Sequence, residues 1–276
     1  MIETQRITVE GLTTSVLVGG AGCSGEAVVF VHGNPDTGSD WMPLMTRVAQ
    51  FARVIAPDLP GFGAADPRRD GDYAVSSYGR FVNGVIEHYG ITRVHIVGHD
   101  FGGPFAASWA ADHPERVASV SFLNTGVLMG YTWHRMARLW QTPVLGELAM
   151  ATSRRRVSEK LLARDNPGLP WPWVEEIVGH LMPKKTRRAV LRLYRSVRDG
   201  DMSVMAARLR QHDHDALVVF GDADAYIPAE QAHRQVAAFP RVKVQILHGV
   251  GHWCWLEQTD KVADFLIPFL RARMSH

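Results

Sequence analysis

Cysteine is nearly absent: Cys23 and Cys254 are the only two in 276 residues, so neither a disulfide framework nor a CxxC zinc site is available. Both are expected to be small buried or half-buried thiols. Long apolar runs are missing as well. No stretch approaches the roughly eighteen residues that a membrane span requires. The opening MIETQRITVE is polar where a secretory leader carries its apolar run, so the expected location is cytoplasmic. Nor is one charge in excess: 30 Lys+Arg stand against 28 Asp+Glu, a balance that argues against a nucleic-acid partner. The chain holds no internal repeat and no low-complexity tail. No cluster calls for a metal or a cofactor, and nothing fixes an oligomeric state.

What is present is a large apolar fraction, 46%, over a length that suits one large domain or a body with an inserted module. The charge is unevenly placed. Residues 127–215 hold 16 Lys+Arg and 9 Asp+Glu, net +7, which leaves −5 for the rest. That asymmetry marks the middle segment as a separate module. Its basic runs, Arg154 to Arg156 and Lys184 to Arg188, read as solvated helix faces rather than as a docking patch.

Short β-branched runs recur in the first half: AVVFVHG (27–33), RVIAPDLPG (53–61), RVHIVGHD (93–100) and VASVSFLN (117–124). Continuous apolar runs of that length indicate strands buried on both faces. Residues 40–52, 76–89 and 103–113 between them have helical spacing, and the alternation predicts a mostly parallel sheet built from βαβ units. The N-terminal ITVEGLTTSVLV alternates about Gly11 and predicts an antiparallel hairpin at a sheet edge. After residue 126 the strand rhythm gives way to helical text. It resumes at ALVVFGDAD (216–224) and VKVQILHG (242–249), before a final helix near 259–273. The expected division is therefore a core of 1–126 and 216–276 with a helical cap of 127–215.

The sharpest local signal is Gly98-His99-Asp100-Phe101-Gly102-Gly103, where the strand VHIVG must turn into the helix PFAASWAA. Glycines flank the central residue because a tight strand-to-helix elbow leaves no space for neighbouring side chains. The turn lifts Asp100 above the sheet, where backbone N–H groups and the positive end of the helix favour a negative charge. A carboxylate nucleophile suits a saturated carbon with a strained or leaving substituent, since attack on an ester carbonyl would give an unstable anhydride. Epoxides and alkyl halides fit. The product is an alkyl ester of Asp100, which a base-activated water can hydrolyse at its carbonyl carbon.

With this elbow the chain resembles the α/β-hydrolase fold superfamily over nearly its whole length, and in particular its aspartate-nucleophile branch. The order of that branch is nucleophile elbow, helical cap, acid after a late strand, and histidine near the C-terminus. Asp100, residues 127–215, Asp224 in GDAD and His252 in GVGHW follow it. The resemblance implies that His252 activates water and that Asp224 orients it. Family spacing selects Asp224 over Asp222, and the GxGH pattern selects His252 over His248. HGNP (32–35) resembles the HGxP loop, which implies an oxyanion hole from the N–H groups of Asn34 and Phe101, and a cis peptide before Pro35.

Epoxide opening needs an acid for the ring oxygen, whereas a departing halide needs only donors. Leu193-Tyr194-Arg195 resembles the cap YR motif of epoxide hydrolases, which implies that Tyr194 supplies the proton. Tyr131, His134 and Trp140 are candidates for a second cap contact to substrate; the Trp140 indole can donate a hydrogen bond but cannot surrender its proton. Asn34 points instead toward haloalkane dehalogenases, which typically carry HGNP. Phe101 opposes that, because those enzymes normally place a halide-binding Trp after the nucleophile. Trp133, Trp171, Trp173, Met129, Met136 and Leu161 suggest an apolar pocket. The expected reaction is thus hydrolysis of a small apolar epoxide by water to a diol, with haloalkane dehalogenation second. A ligand-binding relative without catalysis stands third.

Overall fold

The computed structural model describes residues 1–21, 25–198 and 200–275, and Cys23 lies outside them. The chain opens on the expected hairpin, β1 (Ile2–Val9) and β2 (Leu12–Gly19), with Val9 opposite Leu12. Glu10 and Gly11 form its two-residue turn at φ 51° and 73°, the left-handed pair that matches the twist of the flanking strands.

Six further strands complete one sheet: β3 (Glu26–Val31), β4 (Val54–Pro57), β5 (Arg93–His99), β6 (Val117–Leu123), β7 (Ala216–Gly221) and β8 (Lys243–Leu247), in the order β1-β2-β4-β3-β5-β6-β7-β8. Pairing is antiparallel for β1 with β2 and for β2 with β4, and parallel from β4 to β8. Every residue of β3, β4 and β7 is buried, which is why their text is unbroken apolar rather than alternating. Successive side chains serve opposite faces. Val29 and Val31 join the core beneath the helices Val75–His88 and Gly102–Asp112, while Val28 and Phe30 join the core beneath Met42–Val48 and Thr259–Arg271. The helix expected over 40–52 is shorter: a 3-10 turn, Gly38–Trp41, precedes an α-helix, Met42–Val48, with Pro43 in its first turn, where a missing N–H costs nothing.

Among the described residues, six helices lie between β6 and β7: Arg135–Gln141, Leu145–Thr152, Arg155–Asp165, Trp171–Leu181, Lys184–Ser196 and Asp201–Leu209. Of their inward residues, Ala137, Met150, Val190, Leu193 and Leu209 belong to the same apolar cluster as Val31, Phe101 and Phe105, while Val174 and Ile177 join the cluster of Val28 and Phe30. Polar ties fix them further. His180 Nε2 is 3.1 Å from Asp40 Oδ1, Lys185 Nζ donates to Ala65 O at 2.9 Å, and Arg208 Nη2 donates to Ala111 O and Asp112 Oδ1, both at 2.7 Å. Arg154 to Arg156 are exposed. Lys185 and Arg187 are half-buried, and Arg187 caps the backbone of Met150 at 2.6 Å. Among the described residues, no helix is long and apolar enough to cross a membrane.

Candidate active site

Asp100 stands between β5 and the helix Gly102–Asp112 at φ 48°, a left-handed conformation uncommon for a residue with a Cβ. The surroundings enforce it. A Cβ on Gly102 would fall 2.0 Å from the carbonyl oxygen of Val31, and one on Gly98 2.6 Å from that of Gly102, so the strand and helix meet too closely for any other residue. Thr125 Oγ1 donates to the Asp100 carbonyl at 2.5 Å and secures the elbow from β6's side.

The Asp100 carboxylate faces two partners. The Asn34 N–H donates to Oδ1 at 2.9 Å, and His252 Nε2 lies 3.5 Å from Oδ2. The peptide between Asn34 and Pro35 is cis. Phe101 stands at the N-terminal end of the helix Gly102–Asp112, where N–H groups lack intrahelical acceptors. On its other side His252 Nδ1–H donates to Asp224 Oδ2 at 2.7 Å. Asp224, just beyond β7, also accepts from Tyr226 N (2.8 Å), Ile227 N (3.0 Å) and Asn124 Nδ2 (2.9 Å). Burial works to raise its carboxyl, but the His252 charge and these donors together hold it below its ordinary value. For His252, burial works to lower the imidazole, yet the Asp224 and Asp100 carboxylates outweigh that and push it up to about 10. Asp222 is elsewhere: it pairs with the exposed His248 at 2.7 Å, at the surface.

Tyr194, on the helix Lys184–Ser196, is buried, and its hydroxyl accepts from Asn34 Nδ2 at 3.3 Å. Burial, reinforced by the Asp100 charge, raises the phenol well above its usual value. Its ring meets Phe101 edge-on at 4.9 Å and Trp140 at 5.0 Å. The adjoining Arg195 points away and clamps Glu147 with two bonds of 2.6 and 2.9 Å. His134 caps the helix Arg135–Gln141: its Nδ1 accepts from Ala137 N at 3.3 Å, which leaves the ring proton on Nε2. Burial lowers its titration to about 4, so the ring is neutral near pH 7. The Tyr131 hydroxyl donates to the Tyr226 carbonyl at 2.9 Å and is thereby engaged.

Several neighbours carried no sequence signal. Tyr226 packs its ring 5.0 Å from His252, and its hydroxyl accepts from Asn166 Nδ2 at 3.2 Å. Asn166 Oδ1 in turn accepts the His252 N–H at 3.2 Å. His99 bridges Asp36 Oδ2 (2.9 Å) and the His252 carbonyl (3.2 Å) from behind. Tyr226, two positions past Asp224, His99, beside Asp100, and Asp36, next to the HGNP loop, lay close in sequence to flagged residues, whereas Asn166 did not.

Two cavities meet at this group, of about 300 Å³ and about 480 Å³, and Asp100, His134, Tyr194 and Tyr226 line both. Tyr131 and Trp133 border the smaller; Met136, Trp140, Leu161 and His252 border the larger. Trp171 is instead exposed, and Met129 and Trp173 pack against the cores.

Residues 26–259 match the sequence profile of the alpha/beta hydrolase fold family. The chain belongs to that family. This hydrolase is 32% identical over 270 residues to a haloalkane dehalogenase from Mesorhizobium japonicum, covering 91% of the chain and 86% of the relative. It is 26% identical over 275 residues to a 2-hydroxymuconate semialdehyde hydrolase from a Pseudomonas species, covering 96% and 93%. Among solved structures, the Cif epoxide hydrolase from Acinetobacter nosocomialis superposes at a TM-score of 0.86 with 19% identity, covering 98% of this chain and 89% of that one. At that identity the likeness of the hydrolase to the solved structure concerns the fold alone.

Proposed function

We propose that the protein is an aspartate-nucleophile hydrolase that opens small apolar epoxides to vicinal diols. Asp100 attacks a ring carbon, the C–O bond breaks, and the ring oxygen takes its proton from Tyr194. His252 then removes a proton from water, whose oxygen attacks the carbonyl carbon of the Asp100 ester. The N–H groups of Asn34 and Phe101 stabilise the resulting oxyanion, each such donor contributing about 3 kcal/mol in the transition state. Collapse releases the diol and restores the carboxylate, and protons returned through His252 and solvent restore Tyr194. Asp224 holds the His252 tautomer and the imidazolium. Residues 127–215 act as a cap that encloses the reaction and carries Tyr194, and the balanced steps call on no metal or cofactor.

The observation that carries this reading is the Tyr194 hydroxyl. It is buried beside the Asp100 carboxylate and accepts a bond from Asn34 Nδ2, so its own proton remains to be donated. The Nε2–H of His134 supplies a second donor for the ring oxygen at the same junction. Tyr131 is not suited to that task because its proton is engaged by the Tyr226 carbonyl.

Haloalkane dehalogenation by the same two steps is the second reading, favoured by Asn34 and by the Mesorhizobium relative. Against it, Phe101 has no side-chain donor for halide, and the Asn34 amide already binds Tyr194. Carbonyl substrates of the semialdehyde-hydrolase kind fit an Asp nucleophile poorly, since they would lead to an anhydride. The deciding experiment supplies aryl and alkyl epoxides in one set and bromoalkanes in another. Diol from the first supports the proposal; bromide release without any diol overturns it in favour of dehalogenation. Tight binding of these compounds with no turnover overturns it in favour of a ligand-binding relative.

A further inference from the structure

Resting on the epoxide reading, we propose that the substrate class is the internal epoxides, with an apolar arm on each ring carbon and one arm in each cavity. The nucleophile does not lie at the bottom of a single pocket. Asp100, Tyr194, His134 and Tyr226 belong to the walls of both cavities, so an oxirane placed within reach of Asp100 and Tyr194 has an open volume on either side. A terminal epoxide would occupy one of the two and leave the walls of the other in contact with water.

Both volumes are walled mainly by apolar side chains, with charged groups among their walls. Leu128, Trp133 and Met202 line the smaller beside Arg198, and Met136, Met150 and Ile177 line the larger beside Arg154, Arg164 and Asp165. At about 300 Å³ and 480 Å³, each has room for more than a methyl group, and the larger takes the longer arm. The Tyr194 ring, held between Phe101 and Trp140, forms the partition. Its hydroxyl therefore meets an oxygen at the middle of a molecule rather than at its end. Each methylene that leaves water for such a wall improves binding by about fourfold. A chain divided between the two cavities gains on both sides.

Isomers of one formula remove bulk hydrophobicity from the comparison: trans-5,6-epoxydecane divides its carbons about the ring, and 1,2-epoxydecane carries them on one side. The expected kcat/KM for the internal isomer is at least tenfold the higher. Ser203, exposed and on the border of the smaller cavity, gives a filling variant that leaves the core intact. Ser203→Phe is expected to reduce that preference at least tenfold by obstructing one arm. Equal rates for the two isomers, or a preference untouched by Ser203→Phe, would overturn the inference while diol formation upheld the reaction itself. Absence of diol from both isomers would overturn the reaction, and the inference with it.

Discussion

His252 Nε2 stands 3.5 Å from Asp100 Oδ2, at the outer limit of a hydrogen bond, while its Nδ1 is bound at 2.7 Å to Asp224. The imidazole is thus anchored to one carboxylate and merely faces the other. With both ionised it titrates near 10 and would hold its proton at neutral pH. In the proposed mechanism, formation of an ester on Asp100 removes one of those charges and frees His252 for the hydrolytic step. Rapid-quench measurement of ester hydrolysis across pH is expected to show an acid limb well below 10; a limb at or near 10 would mean that Asp100 remains charged when His252 acts.

The same shift has a consequence for stability. The His252 pKa is raised on folding above its ordinary 6.5, so its stabilisation is fully present below about 6.5 and is lost as pH climbs toward about 10. The thermal unfolding midpoint of the wild type is expected to fall over that window more steeply than that of His252→Gln. Parallel curves would argue against the buried charge pair.

Asp224 and Asp222 differ by two positions and occupy different environments, one buried against His252 and one at the surface with His248. Asp224→Asn is expected to lower kcat by about 10³ to 10⁴-fold through the wrong imidazole tautomer. Asp222→Asn should stay within about twofold of the wild type. Steady-state diol formation measures both.

Tyr194→Phe removes one hydroxyl whose single observed bond is a 3.3 Å contact with Asn34. The fold should persist, because the ring retains its contacts with Phe101 and Trp140. Epoxide turnover is expected to fall by about 10² to 10⁴-fold, with a smaller loss for His134→Phe, which removes the second donor. If Tyr194→Phe kept full activity, the proton would have to come from elsewhere.

Much of this geometry was legible because local rules impose it. The unbroken apolar runs of β3 and β7, the Glu10-Gly11 turn and the glycines of the elbow each follow from the few residues around them. The order Asp100, Asp224, His252 was legible from the family pattern. What escaped depends on contacts far apart in the chain: Asn166 on the His252 backbone across 86 positions, and Asp36 behind His99 across 63. An asparagine between two helices and an aspartate after a proline carry no periodicity. Only the folded chain brings them to His252 and His99. The engagement of the Tyr131 hydroxyl by Tyr226 was hidden for the same reason, since its acceptor is a backbone carbonyl 95 positions away.

A covalent ester on Asp100 has a mass signature. Asp100→Asn is expected to abolish turnover, and His252→Gln to retain attack but lose hydrolysis. Epoxide added to His252→Gln should therefore leave an adduct on the peptide that contains Asp100. Free diol at the wild-type rate would remove His252 from the role of base.

Isotope transfer in a single turnover, with enzyme in excess over epoxide in heavy-oxygen water, separates attack by the carboxylate from attack by solvent. The Asp100 carboxyl is expected to gain one heavy oxygen while the first diol released carries none. Label in that diol, with the Asp100 peptide unchanged, would contradict a covalent mechanism.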